Sequence, residues 1–175
     1  HAFANSLVDG AIGVGTRDAL SYFDDFASQE YVPPPPPPAT DLPVQEDFDD
    51  GLADFFIAQS GSWTVDGDRY RVVPTPDQDG ISTIHVAENL PSNVEVHVTI
   101  NVDDVTTGRY SNGFVIYDYH GPTDFKFAGA YAGDDQWLIG HRNDVGWVSD
   151  AVFSQSIEAE TDYDLKVLIE GKSVT

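Results

Sequence analysis

Carboxylates recur in pairs along this chain: Asp24-Asp25, Asp49-Asp50, Asp103-Asp104 and Asp134-Asp135, with Asp66 and Asp68 on either side of Gly67. Calcium takes about six to eight oxygens, mixing carboxylates with carbonyls exposed at turns, and acidic glycine-containing loops supply both kinds. The same acids also read as the solvated face of a salt-adapted protein. A second group is aromatic and polar: Tyr117, Tyr119, His120, Trp137, His141, Arg142 and Trp147 lie close together in the sequence. Flat rings beside hydrogen-bonding side chains are what pyranose rings stack against, so these residues form a candidate carbohydrate-binding set. Trp137 follows Asp134-Asp135 and Trp147 follows Asp144, which marks both as rim residues. Trp63 sits inside a hairpin signal and reads as a packing residue instead.

Other chemistries find no support. The five histidines show neither HExxH nor any other ligand spacing, and no Gly-x-Ser-x-Gly elbow is present. Gly10, Gly13 and Gly15 are not followed by a helical pattern, so they serve strand bends rather than a phosphate loop. The absence of cysteine removes disulfides, zinc thiolates, iron–sulfur clusters and thiol catalysis together. Thirty acids against eight bases give a net charge of -22, which repels phosphate backbones and anionic membrane surfaces. No nucleic-acid or membrane partner is expected, and no apolar run reaches the roughly 18 residues of a membrane helix.

The elements that must position these side chains are strands. Ser62–Val65 and Arg69–Val73 flank Asp66-Gly67, a hairpin signal around a two-residue turn. Val94, Val96, Val98, Ile100 and Val102 alternate strictly, as do Tyr163, Leu165, Val167 and Ile169. Further strands are expected from Phe114 to Tyr119, Lys126 to Tyr131, Gln136 to His141 and Gly146 to Val148. In the first of these, Phe114, Ile116 and Asp118 oppose Val115, Tyr117 and Tyr119, which implies either that both faces are covered or that one is a wet aromatic face. No stretch keeps helical spacing, and many short strands at this cadence mean an all-β, antiparallel β-sandwich. Pro33–Pro38 is a run of six prolines, extended as polyproline II, and it divides the chain. The organisation expected is 1–32, two strands at Asp9–Gly15 and Ser21–Ala27; 33–45, a proline-rich linker; and 46–175, the sandwich body.

In order, these signals resemble the concanavalin A-like, laminin G-like jelly roll of large secreted bacterial proteins. The residues that carry the resemblance are Glu46-Asp47-Phe48-Asp49-Asp50-Gly51, then Gly61-Ser62-Trp63-Thr64-Val65-Asp66-Gly67-Asp68-Arg69-Tyr70, then Gly113–Tyr117 and Tyr163–Val167. The closing strands of that family resemble Asp9–Thr16 and Phe23–Phe26, which here precede the body. The resemblance therefore implies a fragment spanning the end of one repeat and most of the next, with strands 1–32 completing the sandwich as in a circular permutant or a strand-swapped dimer. It implies a structural calcium (Ca2+) held by Asp47, the carbonyl of Gly67 and Asp24, with Asp25 as the competing choice. Family 16 glycoside hydrolases share the fold and place their acids as Glu-x-Asp-x-x-Glu, a string this chain lacks. The expectation is a non-enzymatic, secreted or cell-surface adhesion module. It carries a polysaccharide or cell-surface glycan as partner and neighbouring repeats beside it. A purely architectural spacer repeat and a glycan-cleaving enzyme are the alternatives.

Overall fold

The computed structural model describes residues 14, 16, 17, 20, 22–29, 32, 39–73, 78–86, 91–104 and 110–175. Two compact units are present, His1–Pro36 and Pro37–Thr175. The Pro33–Pro38 run and most of the strand expected at Asp9–Gly15 lie outside the described residues.

In the first unit, Tyr22–Gln29 form no strand, which corrects the strand expected at Ser21–Ala27. An extended segment needs a neighbour to take its N–H and C=O groups. Here Asp25 takes a left-handed backbone conformation, with φ of 52°, and Asp24 Oδ1 accepts the Asp25 N–H at 2.9 Å. Leu20, Tyr22, Phe23 and Phe26 are exposed.

The second unit is all-β. Its strands are β1 (Phe56–Ser60), β2 (Ser62–Val65), β3 (Tyr70–Val73), β4 (Ile81–Ile84), β5 (Asn93–Ile100), β6 (Asn112–Gly121), β7 (Asp124–Tyr131), β8 (Gln136–Asn143), β9 (Gly146–Ser154), β10 (Tyr163–Glu170) and β11 (Ser173–Val174). The described helical structure is one 3-10 turn, Ala132–Asp134, and no helix among the described residues is long and apolar enough to cross a membrane. Every ladder between named strands is antiparallel: β6-β7-β8-β9, β11-β10-β5, β1-β4 and β2-β3.

Period-two alternation explains the layers, because successive side chains leave a strand on opposite faces. One face of the β6–β9 sheet carries Phe125, Phe127 and Leu138, packed with Ile81 of β4 and with Phe114, Ile116, Tyr119 and Tyr131. The opposite face carries Tyr117 and Ala128, packed with Val167 of β10, Val96 of β5 and Val174 of β11. Phe125 and Phe127 are each 1% exposed, so each contributes about 2–3 kcal/mol by burial.

Two local features depart from the sequence reading. The β2–β3 turn centres on Gly67-Asp68 rather than Asp66-Gly67: both residues have positive φ, 57° and 58°, and Asp66 N–H donates to the Arg69 carbonyl. That pair of left-handed residues is what a two-residue hairpin turn of this hand requires. In β6 the register shifts after Tyr117, and Asp118 is left-handed at φ 52°. The extra residue reverses the alternation, so Tyr119 joins the Phe114 and Ile116 face instead of that of Val115 and Tyr117. Trp63 is the packing residue expected of it, stacked 4.6 Å from Tyr70 with its Nε1–H on the Ser60 carbonyl.

Candidate functional site

Strand β8 distributes the aromatic and polar candidates between the two faces of its sheet. Residues directly opposite across a ladder share a face, and Arg142 stands opposite Phe125 on β7 and Trp147 on β9. The Trp147 ring packs edgewise on Phe125 and Phe127, with centroids 5.3 and 4.9 Å away, and at 5.6 Å from Phe114. It is nevertheless 41% exposed. Its Nε1–H donates to Asp79 Oδ1 at 3.3 Å. The other oxygen of that carboxylate, Oδ2, is 3.7 Å from Arg142 Nε, an ion pair too long for a hydrogen bond. Arg142 Nε is buried and has no hydrogen-bond partner among the described residues, while another guanidinium nitrogen donates to the Asn143 carbonyl. Tyr119 lies 5.8 Å from Phe125, and burial pushes its phenol pKa up. Tyr119, Arg142 and Trp147 thus surround Phe125, and Asp79 joins them. The set offers a half-exposed aromatic platform beside a partly exposed carboxylate, with the Arg142 guanidinium beneath them.

On the opposite face β8 carries Trp137 and His141. His141 Nδ1 is 2.8 Å from Asp150 Oδ2, and its Nε2 is 3.4 Å from Asn143 Nδ2. Tyr117 is opposite Lys126, which is opposite His141. Burial first, then the charges of Asp150 and Asp118, raises the Tyr117 phenol. Asp118 accepts from Lys126 Nζ at 2.6 Å and contacts His120 Nε2 at 3.1 Å. The Lys126 hydrogen bond leads in holding its carboxyl below the usual range, against a smaller burial effect. Trp137 packs edge-on to Tyr163 at 5.7 Å. It also lines an apolar groove of about 270 Å³ with Ile139, Ala151, Phe153, Leu165 and Val167. Among the described residues β9 pairs with β8 alone, and Val152 and Phe153 at its end are exposed.

The seven carbohydrate candidates are therefore brought together in two groups rather than one. Tyr119, Arg142 and Trp147 share a face, Tyr117, Trp137 and His141 share the other, and His120 stays beside Asp118. Sequence reasoning missed Asp79, which lies 68 residues before Trp147 in a stretch without strand periodicity. It also missed Asp150, whose signal was only the bulge that carries it: the β8–β9 register slips between Ile139 and Gly140.

The acids assigned to calcium stand on turns. Asp47 Oδ1 accepts the Asp49 N–H at 3.3 Å, and Asp50 Oδ1 accepts the Leu52 N–H at 2.9 Å. The pKa of Asp49 is raised, first by its hydrogen bond to Asp47 and the Asp47 charge, then by burial and the charges of Asp50 and Asp68. The Asp47 turn therefore feels the charge carried beside Gly67. Asp24 and Asp25 belong to the first unit. Among the described residues no group of three or more His, Cys, Asp or Glu side chains is gathered closely enough to hold a metal ion by itself. Asp103 and Asp135 have structural contacts of their own, Asp103 with Arg71 at 3.3 Å and Asp135 Oδ1 with the Ile157 N–H at 2.9 Å.

Compared with family models, curated proteins and solved structures, the chain matches none.

Proposed function

We propose that this chain is a laminin G-like, concanavalin A-like jelly-roll module that works outside the bacterial cell by attachment to a polysaccharide, without turning it over. The observation that carries this reading is the Trp147, Arg142 and Asp79 arrangement. A half-exposed indole with its edge fixed by the partly exposed Asp79 carboxylate stands over the largely buried Arg142 guanidinium, which pairs with the same carboxylate. Rings of this kind supply the platform for a sugar's C–H face, and the polar pair supplies orientation. Affinity electrophoresis in polysaccharide-containing gels tests it. Retardation is expected for the native chain and is lost in Trp147→Ala, whereas Trp137→Ala, on the opposite face, retains it. Equal retardation of the native chain and Trp147→Ala would refute the assignment.

Calcium enters the proposal as a stabilising ion on the turns of Asp47 and Gly67. What supports it is the raised Asp49 carboxyl, hydrogen-bonded to Asp47 and exposed to the charges of Asp47, Asp50 and Asp68, which a divalent cation drawing further oxygens from turn carbonyls and water would offset. The architectural reading keeps a specific support of its own. Among the described residues β9 pairs on one side only, and the groove beside it is lined by apolar residues of β8, β9 and β10. An edge and a groove of that kind suit a strand donated by a neighbouring repeat or a second copy, completing the jelly roll.

A further inference from the structure

We infer that the outer edge of β9 is a self-association surface: two copies of this chain join antiparallel through residues 151–154, about a two-fold axis at Val152. This is independent of the glycan reading above and gives the architectural reading a definite partner and register.

The edge is guarded along only half its length. Among the described residues β9 pairs on one side only, and an unpaired edge offers its N–H and C=O groups to another strand. Charges and bulges are the usual guards of such an edge. The first half of β9 ends in both, because the bulge opposite Ile139 and Gly140 carries Asp150. The second half has neither: Ala151, Val152, Phe153 and Ser154 are uncharged and pair in regular register with Ile139, Leu138, Trp137 and Gln136. Val152 is 53% and Phe153 65% exposed, so two large apolar side chains of this edge face water. The chain beyond is anchored, with the Gln155 N–H on the Asp135 carbonyl at 3.0 Å and the Ile157 N–H on Asp135 Oδ1 at 2.9 Å.

What selects a second copy is that this edge complements itself. An antiparallel pair centred on Val152 sets Val152 against Val152, Ala151 of each copy against Phe153 of the other, and Asp150 beside Ser154. Ala151 and Phe153 both line the apolar groove with Trp137 and Ile139. Residues directly opposite across a ladder share a face, so each Phe153 ring covers the small Ala151 of the other copy at the mouth of its groove. The two Asp150 carboxylates end about 13 Å apart along the strands, four residues at about 3.3 Å each. A pair centred on Asp150 would bring those like charges face to face, which disfavours that register. Copies of net charge -22 repel at long range, so the association strengthens as salt screens them.

The experiment combines light scattering of the full chain at low and high salt with disulfide trapping. The chain has no cysteine, so a single introduced one reports its own contact alone. Opposite residues of an antiparallel pair have Cα atoms about 4.5–5.5 Å apart, within disulfide reach. Val152→Cys is expected to form a covalent dimer under mild oxidation and Asp150→Cys to stay unlinked, while Ala151→Cys mixed with Phe153→Cys links mainly as the mixed dimer. The native chain should scatter with twice the monomer mass at high salt. Val152→Lys, which sets two ammonium groups opposite each other, should scatter as the monomer, with circular dichroism establishing that the fold is intact. Asp150→Cys linking as readily as Val152→Cys would mark chance collision and overturn the register. A native dimer that links at neither Val152 nor the mixed pair overturns this edge and leaves association between copies standing. A native chain that stays monomeric at every salt and concentration overturns both.

Discussion

Adding a single methyl group at Gly140 should separate β9 from β8. A Cβ built there meets the Val148 carbonyl oxygen at 2.1 Å and the Phe127 ring at 2.5 and 2.9 Å. Relief requires a displacement of roughly 1 Å, and neither neighbour yields easily in a close-packed interior. The oxygen belongs to the backbone of β9, and the ring is 1% exposed. Overpacking that side chains can absorb costs about 1–3 kcal/mol. Here backbone must move as well, so Gly140→Ala is expected to cost about 3 kcal/mol or more. For a chain of this size that lowers Tm by roughly 6–12 °C. Gly121→Ala is the control, because a Cβ at that position meets nothing within 4 Å. Thermal and urea unfolding followed by circular dichroism read both variants. Because Gly140 pairs with Ser149, two residues from Trp147, the displaced strand should also lose polysaccharide retention. A Gly140→Ala protein melting within about 2 °C of the native chain would refute the packing argument.

Calcium at a hundredfold excess over its Kd should stabilise the native chain by about 2.7 kcal/mol, a Tm rise of roughly 5–10 °C that Asp47→Ala removes. No difference between calcium and chelator in a melting scan would exclude the ion. The raised Asp49 pKa means that crowding costs stability as pH rises through the folded value above 3.8, so Asp49→Asn should melt higher than the native chain at neutral pH without calcium. Asp118 has the opposite sign: its lowered carboxyl contributes stability that is present above 3.8 and lost as pH falls through the folded value. Asp118→Asn, which tolerates the same left-handed backbone, should cost under about 1 kcal/mol at neutral pH and nothing in acid. If the β9 edge accepts a strand from a second copy, light scattering will show association that grows with salt as the -22 charge is screened. Val152→Lys should abolish it.

Strand content was readable because alternation is local. Val94 to Ile100 and Tyr163 to Ile169 repeat every second residue, and they pair with each other as β5 and β10. β1 and β4 were not readable. Phe56–Ser60 and Ile81–Ile84 are short, and the weight of Ile81 in the core comes from contact with Phe125 and Phe127, not from any pattern around it. The candidate site divides the same way. Aromatic and polar residue types between Tyr117 and Trp147 were visible as chemistry, but their grouping was not. A single left-handed residue at Asp118 moved Tyr119 to the other face.

The sequence by itself determined that the second unit is built of antiparallel strands, that it is strongly acidic, and that Trp63 packs, since residue type and period-two spacing act over a few residues. Only the tertiary structure decided that Trp147, Arg142 and a distant Asp79 share one place while Trp137 and His141 face the opposite way. That outcome depends on ladder register and one bulge, and register is set by packing between segments far apart in the chain.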